Sequence, residues 1–297
     1  MTNRRQFLQM SGSAMLAGAM PANAQEYRRL KTRPVPGTGD SLAIIGLGNS
    51  QAFRSGNLET SRELLEIFLG HGGNYVDGGG ADGAIVTRIG QETGARDRLF
   101  IGNYVDPGEP AVLQQRAVAL AEGQGSDRLD LVHTRDLQGF RSGHDGYRAL
   151  KEDGLARFIG VARTGADSHD AMASLVEDGL VDFIQVNYSM LEPEAAERLL
   201  PLARDNEVGV AISRPFINGN YFRIVSGHEL PAWAAEFDCA SWAQFSLKFI
   251  LANPAVTCVL TETANPDHAI DNLGAGFGRL PDEAMRRRML EHMRSLV

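Results

Sequence analysis

Three short apolar segments of this sequence each end on a side chain able to handle protons. Tyr75-Val-Asp77 ends on a carboxylate, Phe100-Ile-Gly-Asn-Tyr104 on a phenol and Asp130-Leu-Val-His133 on an imidazole. Groups of these three kinds, held together, can pass a proton to or from a ligand oxygen, and burial and neighbouring charge decide which of them titrates near neutrality. Asp77, Tyr104 and His133 are therefore the candidate catalytic residues. For Tyr104 a second role is open, that of an aromatic filling core space. Asp82, Arg163 and Arg214 are candidates for holding a substrate, the arginines because a guanidinium can clamp a carboxylate or phosphate with paired hydrogen bonds. Pairing with Glu262 or other acids is the plainer fate of such arginines, above all of Arg214. Gly78-Gly-Gly80 reads first as a loosened loop, with a nest of backbone N–H groups for an anion as the alternative. No metal site is indicated, because His133 has no second histidine near it and Cys239 and Cys258 lie far apart.

These side chains can meet only if the fold gathers their segments. Short apolar stretches alternate with amphipathic ones eight times, the pattern of a parallel sheet with helices outside. The predicted strands are Leu42–Gly46, Tyr75–Asp77, Phe100–Tyr104, Asp130–His133, Phe158–Val161, Phe183–Asn187, Val208–Ile212 and Thr257–Leu260. The predicted helices are Ser61–Leu69, Ala84–Thr93, Pro110–Glu122, His144–Lys151, Ser168–Glu177, Pro193–Asn206, Ser241–Leu251 and Asn265–Leu273, with an extra one over Pro281–Arg294. Eight such pairs predict an α/β fold, a single (β/α)8 TIM barrel, whose ligand site lies at the carboxyl ends of the strands. Asp77, Tyr104, His133, Arg163, Gln185, Asn187 and Arg214 all fall at or just past those ends. Lys31–Val35, the turn Pro36-Gly-Thr-Gly39 and Leu42 read as an N-terminal hairpin under the barrel. Asn218–Asp238, with little periodicity, reads as a flap over the mouth.

Ile45-Gly-Leu-Gly48, Gly72-Gly-Asn-Tyr-Val-Asp77, Asp130-Leu-Val-His133, Ile159-Gly-Val161, Phe183-Ile-Gln-Val-Asn-Tyr188 and Asp271-Asn-Leu273 together resemble the aldo-keto reductase superfamily, in particular its bacterial members with twin-arginine signals. The resemblance covers nearly the whole chain after residue 24. It implies NADPH as cofactor, hydride transfer to a carbonyl, and a tyrosine proton donor served by a lysine, an aspartate and a histidine. Asp77 matches that aspartate and His133 that histidine. The family's tyrosine falls on Asp82 and its lysine on Tyr104, so the catalytic tetrad is degenerate. Gln185, Asn187, Asp271 and Asn272 match cofactor-binding positions, the last two at the adenine end. The family's Pro-Gly-Thr-Ser turn for the cofactor phosphate falls on Thr261-Glu-Thr-Ala264, where Glu262 would repel a phosphate, and a nicotinamide contact falls on Arg163.

The amino terminus adds a location. Arg4 and Arg5 precede Phe7 and Leu8, an apolar stretch follows from Ala14, and Ala22-Asn-Ala24 offers small residues for cleavage. This is the pattern of a twin-arginine signal over residues 1–24, which carries a folded protein to the periplasm, with the barrel over residues 25–297. The chain has 29 basic and 37 acidic residues, a formal charge of −8, and losing Arg4 and Arg5 makes it −10. Nucleic acid and anionic membranes are poor partners for such a surface. No later apolar run reaches the ~18 residues a membrane helix needs. Two cysteines allow one disulfide or none.

These readings lead to a small carbonyl, sugar or polyol bound at the mouth of a rebuilt reductase barrel, without standard NADPH chemistry. A pseudoenzyme that binds a ligand or a protein partner is the alternative. An oxidoreductase exported with NADP already bound is a third.

Overall fold

The computed structural model describes residues 28–48, 51–78 and 81–296, without the side chains of residues 51, 55 and 81–83. The expected signal, Gly79 and Gly80 of the glycine run, and the Asp82 side chain lie outside the described residues. Eight parallel strands close into a barrel: β3 (Ile45–Leu47), β4 (Tyr75–Asp77), β5 (Phe100–Tyr104), β6 (Leu129–Thr134), β7 (Ala156–Ala162), β8 (Phe183–Asn187), β9 (Gly209–Ser213) and β10 (Cys258–Thr261). Strand order follows the sequence, and β10 pairs with β3 to complete the ring. Around it stand α2 (Leu58–Gly70), α3 (Ala81–Glu92), α4 (Pro110–Gly123), α6 (His144–Glu152), α7 (His169–Glu177), α8 (Leu199–Asp205), α10 (Trp242–Leu251) and α11 (Pro266–Gly274). Short helices α1 (Gln51–Ser55), α5 (Leu137–Ser142) and α9 (Asn220–Ile224) lie in the loops, and α12 (Glu283–Arg294) ends the chain. The predicted α/β barrel is the observed fold.

Alternation along each strand sorts its residues. Val76, Ile101, Ile159, Ile184 and Val210 face the helices, whereas Tyr75, Phe100, Phe158 and Phe183 fill the lower barrel. The Phe100 ring lies 5.1 Å from that of Tyr75, edge-on, and 5.8 Å from those of Phe158 and Phe183. Rings this large require bare backbone opposite them. A Cβ on Gly160 would come within 2.2 Å of the Phe183 carbonyl oxygen, and one on Gly209 within 2.5 Å of the Phe183 ring. Further up the barrel the inward positions become Asp77, two residues past Tyr75; Gln185, two past Phe183; Ala162, four past Phe158; and Ser213, two past Ala211 on β9. The aromatic layer thus supports a polar one.

The barrel bottom is closed by the antiparallel hairpin β1 (Thr32–Pro34) and β2 (Ser41–Ala43), which buries Val35 and Leu42 against that layer. The expected first barrel strand, Leu42–Gly46, is therefore divided. Ser41–Ala43 pairs with β1, and only Ile45–Leu47 joins the barrel, because the chain turns from one sheet to the other at Ile44. Arg33 donates to the carbonyls of Leu251, Asn253 and Val256 past the end of α10, which ties the hairpin to the barrel.

Two further expectations change. The helix over Pro193–Asn206 is interrupted: a 3-10 turn at Glu194–Ala196 precedes α8, and Arg198 between them adopts φ −134°. Pro201 explains the break, since it is tolerated in the first turn of a helix but would clash with the carbonyl four residues earlier in a longer one. The Asn218–Asp238 segment is packed rather than free. Tyr221, Val225, Ala234 and Phe237 are buried, the Tyr221 hydroxyl donates to the Trp242 carbonyl at 2.9 Å, and the Trp242 indole donates to the His228 carbonyl at 2.8 Å. Isolated aromatic anchors on one-turn helices produce no periodicity to read. Cys239 and Cys258 are both free and buried. Among the described residues no helix is long and apolar enough to cross a membrane.

Candidate active site

The polar layer lines a cavity of about 460 Å³ at the carboxyl end of the barrel. Asp77, Tyr104, Gln185 and Ser213 form its floor, and Arg54, Arg135, Arg163, Arg214 and Glu262 its rim. Strand register places the floor. Asp77 lies beside Gly102, over which the Tyr75 ring and the Asp77 carboxyl pack, and Tyr104 lies beside His133.

Asp77 is the hub. Its Oδ2 accepts from the Tyr104 hydroxyl at 3.3 Å and from the Gln185 amide at 3.0 Å. Its Oδ1 stands 3.8 Å from His133 Nε2, too far for a hydrogen bond. Burial pushes the Asp77 carboxyl up to about 6, against the two hydrogen bonds and the nearby Arg135 charge, while Glu262 reinforces the rise. His133 is 1% exposed, and burial, helped by Arg135, lowers its imidazole to about 3, so it is neutral at neutral pH. Burial also raises the Tyr104 phenol far above its ordinary value, with Asp77 adding to the rise, so Tyr104 keeps its proton. Its ring lies 4.0 Å from the His133 ring, and the Arg135 guanidinium sits 3.8 Å above its centre. Tyr104 fills space and donates a hydrogen bond to Asp77.

Four buried atoms at the floor have no hydrogen-bond partner among the described residues: Asp77 Oδ1, Gln185 Oε1 and Ser213 Oγ on residues that line the cavity, and His133 Nε2 outside the lining, against Tyr104. A buried polar atom without a partner costs about 1–3 kcal/mol. Three of the four belong to residues that line the cavity, so its floor carries unmet hydrogen-bonding capacity.

The remaining candidates divide. Arg163 reaches the rim, and the only described hydrogen bond of its side chain is a long one, 3.4 Å, to the Arg135 carbonyl. Arg214, on left-handed backbone with φ 54°, lines the cavity but pairs with Glu192 at 3.2 Å, not with Glu262. Asn187 is buried with its amide committed: it accepts from the Gly165 N–H at 2.8 Å and donates to Glu192 at 2.9 Å, which fixes the loop carrying Arg163. Asp271 and Asn272 lie elsewhere, in a recess of about 500 Å³ with Phe216, Phe222, Trp242 and His268, where Asp271 accepts from Gln244 at 2.8 Å. Glu262 lines both cavities, and partial desolvation raises its carboxyl, with Arg54 opposing.

Three site residues escape the sequence reading. Arg135 lies two positions past His133, and the strand-end criterion that picked out Arg163 and Arg214 applies to it equally. Ser213 was recoverable from alternation with Ala211. Arg54 reaches the rim from α1 in the long loop after β3, and no local pattern announces it.

The Aldo/keto reductase family profile matches residues 44–288. The chain belongs to this family. Comparison with curated proteins returned no match. Among solved structures, the holo form of an aldo-keto reductase from Bacillus halodurans superimposes with a TM-score of 0.72 at 17% identity, over 89% of this chain and 96% of that one. An aldo-keto reductase from Klebsiella pneumoniae in complex with NADPH gives 0.70 at 18% identity over 89% and 95%, and one from the same organism with NADP and acetate gives 0.69 at 19% over the same shares. At such identities the likeness concerns the barrel, not the mouth.

Proposed function

We propose that this family member binds and acts on a small oxygenated compound, a carbonyl, sugar or polyol, with Asp77 as the proton-handling group. The observation that carries this reading is the set of four buried, partnerless polar atoms on the cavity floor. A ligand hydroxyl or carbonyl in the cavity would lie against Asp77, Gln185 and Ser213, with His133 Nε2 behind them, 3.8 Å from Asp77 Oδ1. An acid titrating near 6 can take up and return a proton at neutral pH. His133, neutral and buried beside Tyr104, backs the Asp77 carboxyl from outside the lining. Tyr104 holds and orients Asp77.

The family implies a nicotinamide dinucleotide, and the described residues do not suit one. A dinucleotide reaching from the mouth to the Asp271 recess must pass the Glu262 carboxylate, which projects into both cavities. No lysine is among the described residues lining the mouth. The mechanism therefore has no step through a nicotinamide. We place the protein in the periplasm, on the Arg4-Arg5 signal; replacing both arginines with lysine should leave it in the cytoplasmic fraction.

The test is thermal stabilisation by a panel of small aldehydes, ketones, sugars and polyols, followed by NMR of the mixture for product without added nicotinamide. Ligands that raise the Tm of the wild type should not do so for His133→Ala or Asp77→Ala. A panel without effect on the wild type, or one stabilising all three proteins alike, refutes the proposal.

A further inference from the structure

The rim of the cavity contrasts with the rest of the molecule. The chain is acidic overall, at −8, yet four guanidinium groups surround a mouth holding two carboxylates. Arg214 is already paired with Glu192, and Arg54 faces Glu262. Arg135 and Arg163 are different. Among the described residues no carboxylate lies within 4.0 Å of either guanidinium, although Asp106, Asp136 and Asp167 line the adjoining outer cavity, whose wall these two arginines share with the mouth. Arg135 is held by its stacking on Tyr104, directly above the floor, and Arg163 by its reach to the Arg135 carbonyl. Both arginines are exposed and form no ion pair with a described residue.

We propose that the ligand is an anion: a small hydroxylated compound bearing a carboxylate, of the sugar-acid class, with the carboxylate on Arg135 and Arg163 and a hydroxyl or carbonyl over Asp77, Gln185 and Ser213. This rests on the reading of the floor given above and adds the charge of the substrate. The chemistry favours a carboxylate over a neutral polyol because a guanidinium offers paired donors in the geometry a carboxylate accepts, and charge-assisted bonds of this kind are about twice as strong as neutral ones. It also accounts for both halves of the cavity, a cationic rim and a neutral-to-acidic floor, with one molecule.

Titration calorimetry with matched pairs, D-glucuronate against D-glucose and D-gluconate against D-glucitol, separates the inference from its foundation. The acids should bind the wild type at least about tenfold more tightly than their neutral partners, with the preference reduced by added salt. Arg135→Gln together with Arg163→Gln should abolish the preference, weakening the acids far more than the neutral sugars, whereas Arg141→Gln, at the exposed Asp178 pair, should change nothing. His133→Gln should weaken acid and neutral sugar alike. Equal binding of acid and neutral forms, or a preference that survives the double arginine substitution in a protein of unchanged Tm, overturns the anion assignment while leaving the floor reading intact. Failure of all four compounds to bind overturns both.

Discussion

Replacing Asp77 by asparagine should stabilise the protein at alkaline pH and not at acid pH. The Asp77 carboxyl titrates at about 6 in the folded protein and near 3.8 when free. Ionising it in the fold is thus about 3 kcal/mol less favourable than in the unfolded chain. The folded state binds the proton more tightly, so this destabilisation is absent below pH ~4, grows as pH rises to ~6, and is complete above that. Asparagine retains an acceptor for the Tyr104 hydroxyl and the Gln185 amide. It also cannot ionise. His133 acts in the opposite sense: lowered to about 3, it stays neutral in the fold, so its contribution is complete above pH ~6.5 and is lost as pH falls. Between pH ~4 and ~6 the two groups oppose each other in the wild type, and the variant removes only the Asp77 side. In a chain of this size each kcal/mol moves the Tm by about 2 °C, so Asp77→Asn should melt about 6 °C above the wild type at pH 8 and level with it at pH 4. Calorimetric melting across this range is the assay. A difference that is equal at both ends, or larger at pH 4, would show that the Asp77 carboxyl is not desolvated and would remove it from its proposed role.

Three further outcomes follow from the site and the core. Fluorescence titration should find weak or no NADPH binding, improved by Glu262→Gly; micromolar binding unchanged by that substitution would show that Glu262 does not obstruct the path between the two cavities. Asp82→Tyr combined with Tyr104→Lys should not yield an aldehyde reductase in an NADPH-consumption assay. A positioned proton donor accounts for ~10²–10⁴ in rate, and it acts only on a substrate beside a held nicotinamide. Brisk turnover by the double variant would mean that the cofactor path is open. Gly209→Val should cost about 1–3 kcal/mol in urea unfolding, because its side chain would overlap the Phe183 ring, and Phe183→Leu in the same chain should recover part of the loss. Strictly additive losses would place the strain elsewhere.

The barrel was legible because its rules are local. A strand buried on both faces needs a continuous apolar run, a surface helix needs an apolar stripe, and eight repeats of the pair admit one closed arrangement. The same rule located Asp77, Tyr104 and His133, since the carboxyl end of a barrel strand is a position in sequence as well as in space. Local pattern gave less where short elements depend on distant partners. Leu42 reads equally well in hairpin or barrel until the pairing of Ser41–Ala43 with Thr32–Pro34 is known. Tyr221 and Trp242 anchor a segment with no period of its own. The electrostatics of the site were beyond the sequence altogether. That Asp77 rather than Tyr104 titrates near neutrality follows from burial and from which atoms reach it across the barrel. That Arg214 is paired while Arg135 and Arg163 are not follows from where Glu192 lies after folding. Residue type sets what a group can do, but desolvation and charge act through distances of a few ångströms between residues far apart in the chain, and only the closed barrel fixes those.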